Sequence, residues 1–304
     1  MITVIGEALV DIIVDPQGNV TSVVGGAPLN TARTCARLGI DTTFLGGVSF
    51  DAFGGRIMRL LADDGVTYAR GSQVHEPTTL AIAQIDEHGS ATYRFMMEGT
   101  SAAAVNPEQA LAAVGADCRV VHAGTLGLVL QPLADATRAL VAASPDDRIV
   151  MIDPNCRPSV MTTTDVFRST LDAVLARADI VKVSGDDLEF IFPGTDLLEA
   201  ARKLQLQSGA VVLFTDGARA VRVMNGADEV VIDVPRVPVV DTVGAGDSFS
   251  GGFLAEWMNR GQTRHDIRDT DKIVSAARYG IAVAGVTCQR LGADPPRTVE
   301  VPGY

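Results

Sequence analysis

Short β-branched runs alternate along the chain with longer stretches in which apolar residues recur every three to four positions. A period of two suits strands and a period near 3.6 suits helices, so the alternation predicts parallel strands joined by crossover helices. Core strands are expected at Thr3 to Ile5, Thr42 to Gly46, Arg119 to His122, Ile149 to Ile152, Ile180 to Val183 and Val211 to Thr215. Helices are expected at Leu29 to Leu38, Gly54 to Asp63, Pro132 to Ala142, Val166 to Ala176, Leu197 to Gln207, Gly246 to Asn259 and Lys272 to Val286. The predicted architecture is a three-layer α/β/α sandwich, with residues 1–304 as one unit.

Two regions break this rhythm. Asp11 to Val14 and Val20 to Val24 flank the turn Asp15-Pro16-Gln17-Gly18-Asn19, and Leu80 to Ile85 and Ala91 to Met96 flank Asp86-Glu87-His88-Gly89-Ser90. Each reads as a β-hairpin. Together, over about 9–24 and 79–98, they are expected to form a small sheet that acts as a lid over one end of the main sheet, where α/β proteins hold ligands. An ordinary extension of the main sheet is the alternative.

Charge narrows the functional classes. Lys plus Arg number 25 and Asp plus Glu 37, a net charge of −12 that repels a phosphate backbone, so nucleic acid is not an expected partner. The start carries Glu7 and Asp11 within its apolar stretch and no basic segment, unlike a secretion signal. No apolar stretch is long enough to suggest a membrane span, and the four cysteines (Cys35, Cys118, Cys156, Cys288) are scattered like small buried hydrophobes. A soluble cytoplasmic protein is expected.

The densest chemical signal is Val237-Pro238-Val239-Val240, read as a strand, running into Asp241-Thr242-Val243-Gly244-Ala245-Gly246-Asp247 and then into a helix of small residues. In such a turn the N–H groups of Gly244, Ala245 and Gly246 can converge, and the helix dipole favours an anion there. Asp247 does not suit an anion site by itself, because a carboxylate repels a phosphate; it suits a base that accepts the proton of an attacking hydroxyl in phosphoryl transfer. Taken alone, the same residues also fit a tight turn with a helix cap. A dinucleotide-binding loop fits less well, since Phe249 stands where its third glycine belongs.

Other phosphate machinery is absent from the sequence. The only lysines are Lys182, Lys203 and Lys272, none within a P-loop pattern. The histidines His75, His88, His122 and His265 form no zinc pattern and read as surface or core residues.

These motifs carry a resemblance. DTVGAGD at Asp241 to Asp247 resembles the C-terminal signature of the ribokinase, or PfkB, family of carbohydrate kinases, and GGAPLNTARTCARLG at Gly25 to Gly39 is similar to its N-terminal signature. The likeness runs from Gly6-Glu7-Ala8-Leu9-Val10-Asp11 to Leu291-Gly292-Ala293-Asp294-Pro295-Pro296. It implies a ribokinase-like fold and ATP-dependent phosphorylation of a sugar hydroxyl, with Asp247 as base and Gly244, Ala245 and Gly246 as anion hole. Asp11, Gly25, Gly26 and Asn30 would bind the sugar; alone, Asp11 also reads as an exposed lid charge and Asn30 as a helix-end hydrogen bond. Arg157, in Asp153-Pro154-Asn155-Cys156-Arg157, resembles an arginine placed near substrate or phosphate, and fits a surface salt bridge equally well.

On the nucleotide side, Thr215 and Gly217, in a stretch that resembles the loop covering adenine, would bind ATP with Thr242, Gly244 and Gly246. The element that organises magnesium in the family is altered to Ser184-Gly185-Asp186-Asp187, where Asp187 would act on Mg2+ through water. Ser49 stands where many members have glycine. Asp241 and Val243 resemble part of a monovalent-cation site, for K+. Gly6 to Asp11, Gly25 to Asn30 and Asp153 to Arg157 are similar to the bacterial fructokinase branch. Glu98 stands where ketodeoxygluconate kinases favour an arginine, which favours a neutral ketohexose over a sugar acid. A homodimer built on the lid hairpins is expected from the resemblance. A sugar or nucleotide sensor on the same fold is the alternative of a different class.

Overall fold

The computed structural model describes all residues except 88–90, 162–164 and 304. Among the described residues, thirteen strands form two sheets. The larger sheet contains β1 (Ile2–Ile5), β4 (Thr42–Leu45), β5 (Thr67–Tyr68), β8 (Val120–Gly124), β9 (Ile149–Asp153), β10 (Ile180–Ser184), β11 (Val211–Thr215), β12 (Ala220–Asn225) and β13 (Asp228–Asp233), in the order β13-β12-β11-β10-β9-β8-β1-β4-β5. Its strands are parallel except for the antiparallel hairpin β12–β13 at one edge.

The alternation of side chains explains the three layers. Ile180, Met151 and Val120 point into one apolar core, and Val181, Ile152 and Val121 into the other. On the first face pack α1 (Ala27–Arg37), α2 (Ala52–Asp63), α9 (Ala245–Asn259) and α10 (Thr270–Thr287), through Leu29, Ile57, Phe253 and Ala277. On the second pack α3 (Pro107–Ala113), α4 (Leu133–Ala142), α5 (Pro158–Met161), α6 (Asp165–Leu175), α7 (Gly185–Ile191) and α8 (Leu197–Ser208), through residues such as Leu140, Leu171 and Leu204. The predicted sandwich is thus observed.

The hairpins β2 (Leu9–Val14) with β3 (Val20–Gly25), and β6 (Leu80–Ile85) with β7 (Ala91–Met96), merge into a separate sheet. The seam is a parallel pairing of β2 with β6, in which Asp11 lies opposite Ala81. Part of the second predicted turn, including His88, lies outside the described residues. The sheet leaves Val20, Val23, Tyr93 and Met96 exposed.

Three expectations need correction. Val237 to Val240 is not a strand: Pro238 has no N–H for a ladder, Val239 and Val240 are exposed, and the Val240 N–H is used by the Cys288 carbonyl at 2.8 Å. β12 and β13 extend the sheet beyond the predicted strands, around a two-residue Gly226-Ala227 turn with Gly226 at φ 62°, a hairpin signal that is legible in the sequence. Cys288 is only partly buried, unlike the other three thiols. No described helix is long and apolar enough to cross a membrane.

Candidate active site

The N-terminus of α9 is the focus. Gly244 caps the helix in the left-handed region (φ 76°), and a Cβ there would lie 2.6 Å from that of Ala293, so both conformation and space require glycine. The turn departs from its predicted use in one respect. The Ala245 N–H donates to the Thr242 carbonyl at 3.2 Å, so it is drawn back into the turn instead of standing free.

Asp247 follows in the first helical turn and is buried. Its Oδ2 accepts from Asn30 Nδ2 at 2.9 Å, while Asn30 Oδ1 is buried with no partner. Burial raises the Asp247 carboxyl above the ordinary aspartate range; the Asn30 hydrogen bond, Lys182 and Arg157 oppose that shift without cancelling it. The group is thus a stronger base than a surface aspartate.

The first turn of α1 brings the other sugar-side residues to the same place. Gly26, at φ 116°, leads into the helix with a Cβ position 2.6 Å from the Glu7 carbonyl. Asp11 reaches over from β2, its Oδ2 lying against the place where a Gly25 Cβ would stand. Burial pushes its carboxyl up to about 6, against the pull of Arg157. Asp11 thus meets the chain at Gly25, just before α1, and Asp247 meets it at Asn30, in the first turn of α1, although the two aspartates come from opposite ends of the chain. Arg157 is exposed and donates to the carbonyls of Asn155 (3.4 Å) and Cys156 (3.1 Å), with no ion pair among the described residues. Its positive charge favours the ionised forms of Asp11, Glu7 and Asp247. Glu98 lies exposed beyond β7.

Glu7 takes a part that its sequence position alone did not reveal. It is fully buried and accepts from the Ala27 N–H (3.3 Å) and the Leu126 N–H (3.2 Å), tying the start of α1 to the segment after β8. Burial pushes its carboxyl up to about 8.

The nucleotide-side residues divide. Thr215 ends β11, its hydroxyl donating to the Val183 carbonyl at 3.3 Å, and Gly217 (φ 54°) turns the chain toward β12. Thr242 is exposed beside the glycine turn. Asp241 accepts from the N–H groups of Val243 (3.0 Å) and Gly292 (2.9 Å), so its carboxylate closes two loops together. Asp187 is spent locally: Oδ2 accepts from the Ser184 N–H and hydroxyl, both at 2.7 Å, and Oδ1 from the Cys156 N–H at 2.6 Å. That leaves one lone pair, which fits a water-mediated role toward a cation and not a place in its inner shell. No cluster of three or more potential ligands occurs among the described residues.

Known proteins resemble this chain in sequence and fold. The fructokinase of Rhizobium leguminosarum bv. trifolii is 31% identical over 277 residues, covering 90% of this chain and 84% of that protein. The fructokinase of Xylella fastidiosa, solved with bound ATP, superposes with a TM-score of 0.87 at 28% identity, over 99% of this chain and 96% of the other. The fructokinase of Vibrio cholerae O395, in its fructose, ADP and calcium ion bound form, gives 0.83 at 26% identity, over 96% and 94%. With residues 1–299 matched by the family model for pfkB family carbohydrate kinases, the chain belongs to that family and is a carbohydrate kinase.

Proposed function

We propose that the protein transfers the γ-phosphate of ATP to the 6-hydroxyl of fructose. The observation that carries this reading is the buried Asp247, held by Asn30 at the mouth of a glycine turn. Asp247 accepts the proton of the attacking hydroxyl as its oxygen bonds to the γ-phosphorus, and ADP leaves. The helix N-terminus, through the N–H groups of Gly244 and Gly246, faces the charge on the transferred group. Asp11 and the unpartnered Asn30 Oδ1 accept from sugar hydroxyls, and Gly25 and Gly26 let the sugar pack against backbone. Thr215, Gly217 and Thr242 lie on the ATP side.

Magnesium, bound to the nucleotide phosphates, would neutralise their charge, with Asp187 touching it only through water. A monovalent cation such as K+ would sit by Asp241 and the Val243 carbonyl. The small sheet serves as a lid that keeps water out of the closed site, and its exposed Val23, Tyr93 and Met96 suit a homodimer interface. The acidic chain is read as a cytoplasmic enzyme. The fructokinase relatives and the exposed negative charge of Glu98 support a neutral ketohexose. The unpaired Arg157 favours a second reading, a 2-keto-3-deoxygluconate kinase whose substrate carboxylate it would meet.

A coupled ADP-release assay against fructose, ketodeoxygluconate, ribose and adenosine tests both. Fructose is expected to lead in kcat/KM by at least about tenfold, a difference of about 1.4 kcal/mol. A sugar acid ahead by that margin would install the second reading, and silence on every substrate would return the protein to the sensor class.

A further inference from the structure

One of the three lysines in the chain lies directly beneath the glycine turn. Lys182 sits in β10 at the position whose side chain faces α9, between Val181 and Val183, which face the other core. Its ammonium lies 2.9 Å from where a Gly246 Cβ would stand, and it pairs with Asp153 at the end of β9 at 3.0 Å. Both side chains are about as buried as the apolar core, at 5% and 4% exposure. Asp153 Oδ1 has no partner, and Ser250 of α9 approaches Oδ2 at 3.4 Å.

An ion pair this deep is a poor way to gain stability, because desolvation consumes most of the attraction. Its placement instead suggests a use. Around Asp247 stand Asn30 and Thr31 on α1, Glu7 after β1, Asp153 on β9, Arg157 after β9 and Lys182 on β10. Glu7 holds its proton, but the Asp153 and Asp247 carboxylates repel each other, and Lys182 and Arg157 are the cations that offset them. Arg157 is exposed and screened by solvent, whereas Lys182 is fixed and dry. His122, the next basic group, is pushed down to about 3 by burial and by Lys182, so it adds no charge. Burial works against the charged ammonium, but Asp153, Asp187 and Asp247 outweigh it and hold Lys182 protonated.

We propose that Lys182, clamped by Asp153, is a positioning residue that supports the Gly244–Gly246 turn from below and keeps Asp247 in its charged, proton-accepting form. This role rests on Asp247 being the base. No atom of Lys182 needs to touch sugar or nucleotide: it acts through the turn and through the field at Asp247.

The test uses Lys182→Met, Lys182→Arg and the double variant Asp153→Asn/Lys182→Met, which removes the pair without leaving a lone buried carboxylate. Melting temperature is followed alongside kcat, the sugar KM and the acid limb of kcat/KM. For the double variant the expected result is a folded protein whose kcat falls about a hundredfold, with the sugar KM within about threefold and the acid limb displaced upward by about one pH unit. Lys182→Arg, which keeps the charge, should recover most of the turnover lost in Lys182→Met. A folded double variant with unchanged kcat and acid limb overturns the proposal and leaves the pair as core packing. So does a lost turnover with an unmoved acid limb. Carbon-13 titration of the Asp247 carboxyl separates this idea from the kinase reading, because it needs no turnover: an upward midpoint in the double variant supports the role of Lys182, and an identical midpoint overturns it even where the wild type phosphorylates fructose.

Discussion

Asn30 and Asp247, 217 positions apart in the chain, meet through a 2.9 Å hydrogen bond that joins the first turn of α1 to the first turn of α9. The contact engages one oxygen of the buried Asp247 and leaves Asn30 Oδ1 buried with no partner.

Replacing Asp247 with Asn keeps the shape and removes the base. Turnover is expected to fall about 10²- to 10⁴-fold with sugar affinity near that of the wild type, since the base acts in the transition state. Isothermal titration with the sugar and steady-state kinetics check the two halves separately. Unaltered kcat would end the assignment of Asp247.

The acid limb of the wild-type profile should lie above the ordinary aspartate range, because burial raises Asp247 and protonation removes the base as pH falls. Asn30→Ala deletes the hydrogen bond that favours the charged carboxylate, so the limb should move to still higher pH and the sugar KM should rise. A limb that shifts downward in kcat/KM would contradict this account of the site.

Gly244→Ala introduces both a strained φ and a clash with Ala293. Gly261→Ala, at φ 68° with nothing within 4 Å, imposes the strain alone. Each is expected to lose about 1–2 kcal/mol from the left-handed backbone, but only Gly244→Ala should also lose about a hundredfold in kcat, as the turn is displaced. Equal kinetics in the two variants would show that the turn tolerates displacement.

Glu7 predicts a pH-dependent stability. Its folded carboxyl lies near 8 against a usual 4.5, so the folded state holds the proton more tightly than the unfolded chain. The resulting stabilisation is full below about 4.5 and is lost as pH rises toward 8, by about 1.4 kcal/mol for each step of one in pH. Melting temperatures of the wild type should therefore decline between those pH values more steeply than those of Glu7→Gln. Parallel slopes would mean that Glu7 is ionised in the folded protein.

Much of this protein was legible in its sequence because the signals are local. The two-residue period of the strands, the glycine turn before a helix of small residues and the hairpin that turns at Asp15 to Asn19 each lie within a few neighbouring positions, and local geometry alone produces them. The Gly226-Ala227 hairpin turn and the buried parity of Lys182 between Val181 and Val183 were equally local signals, and they become conspicuous once the strands are in place. Tertiary structure decided what no short window contains: that Lys182 pairs with Asp153 under Gly246, that Glu7 is sealed between Ala27 and Leu126, and that Asp187 spends its oxygens on Ser184 and Cys156. A charged residue in sequence carries no mark of its desolvation or its partner; both are set by strand order and helix packing, which bring distant side chains into one dry volume.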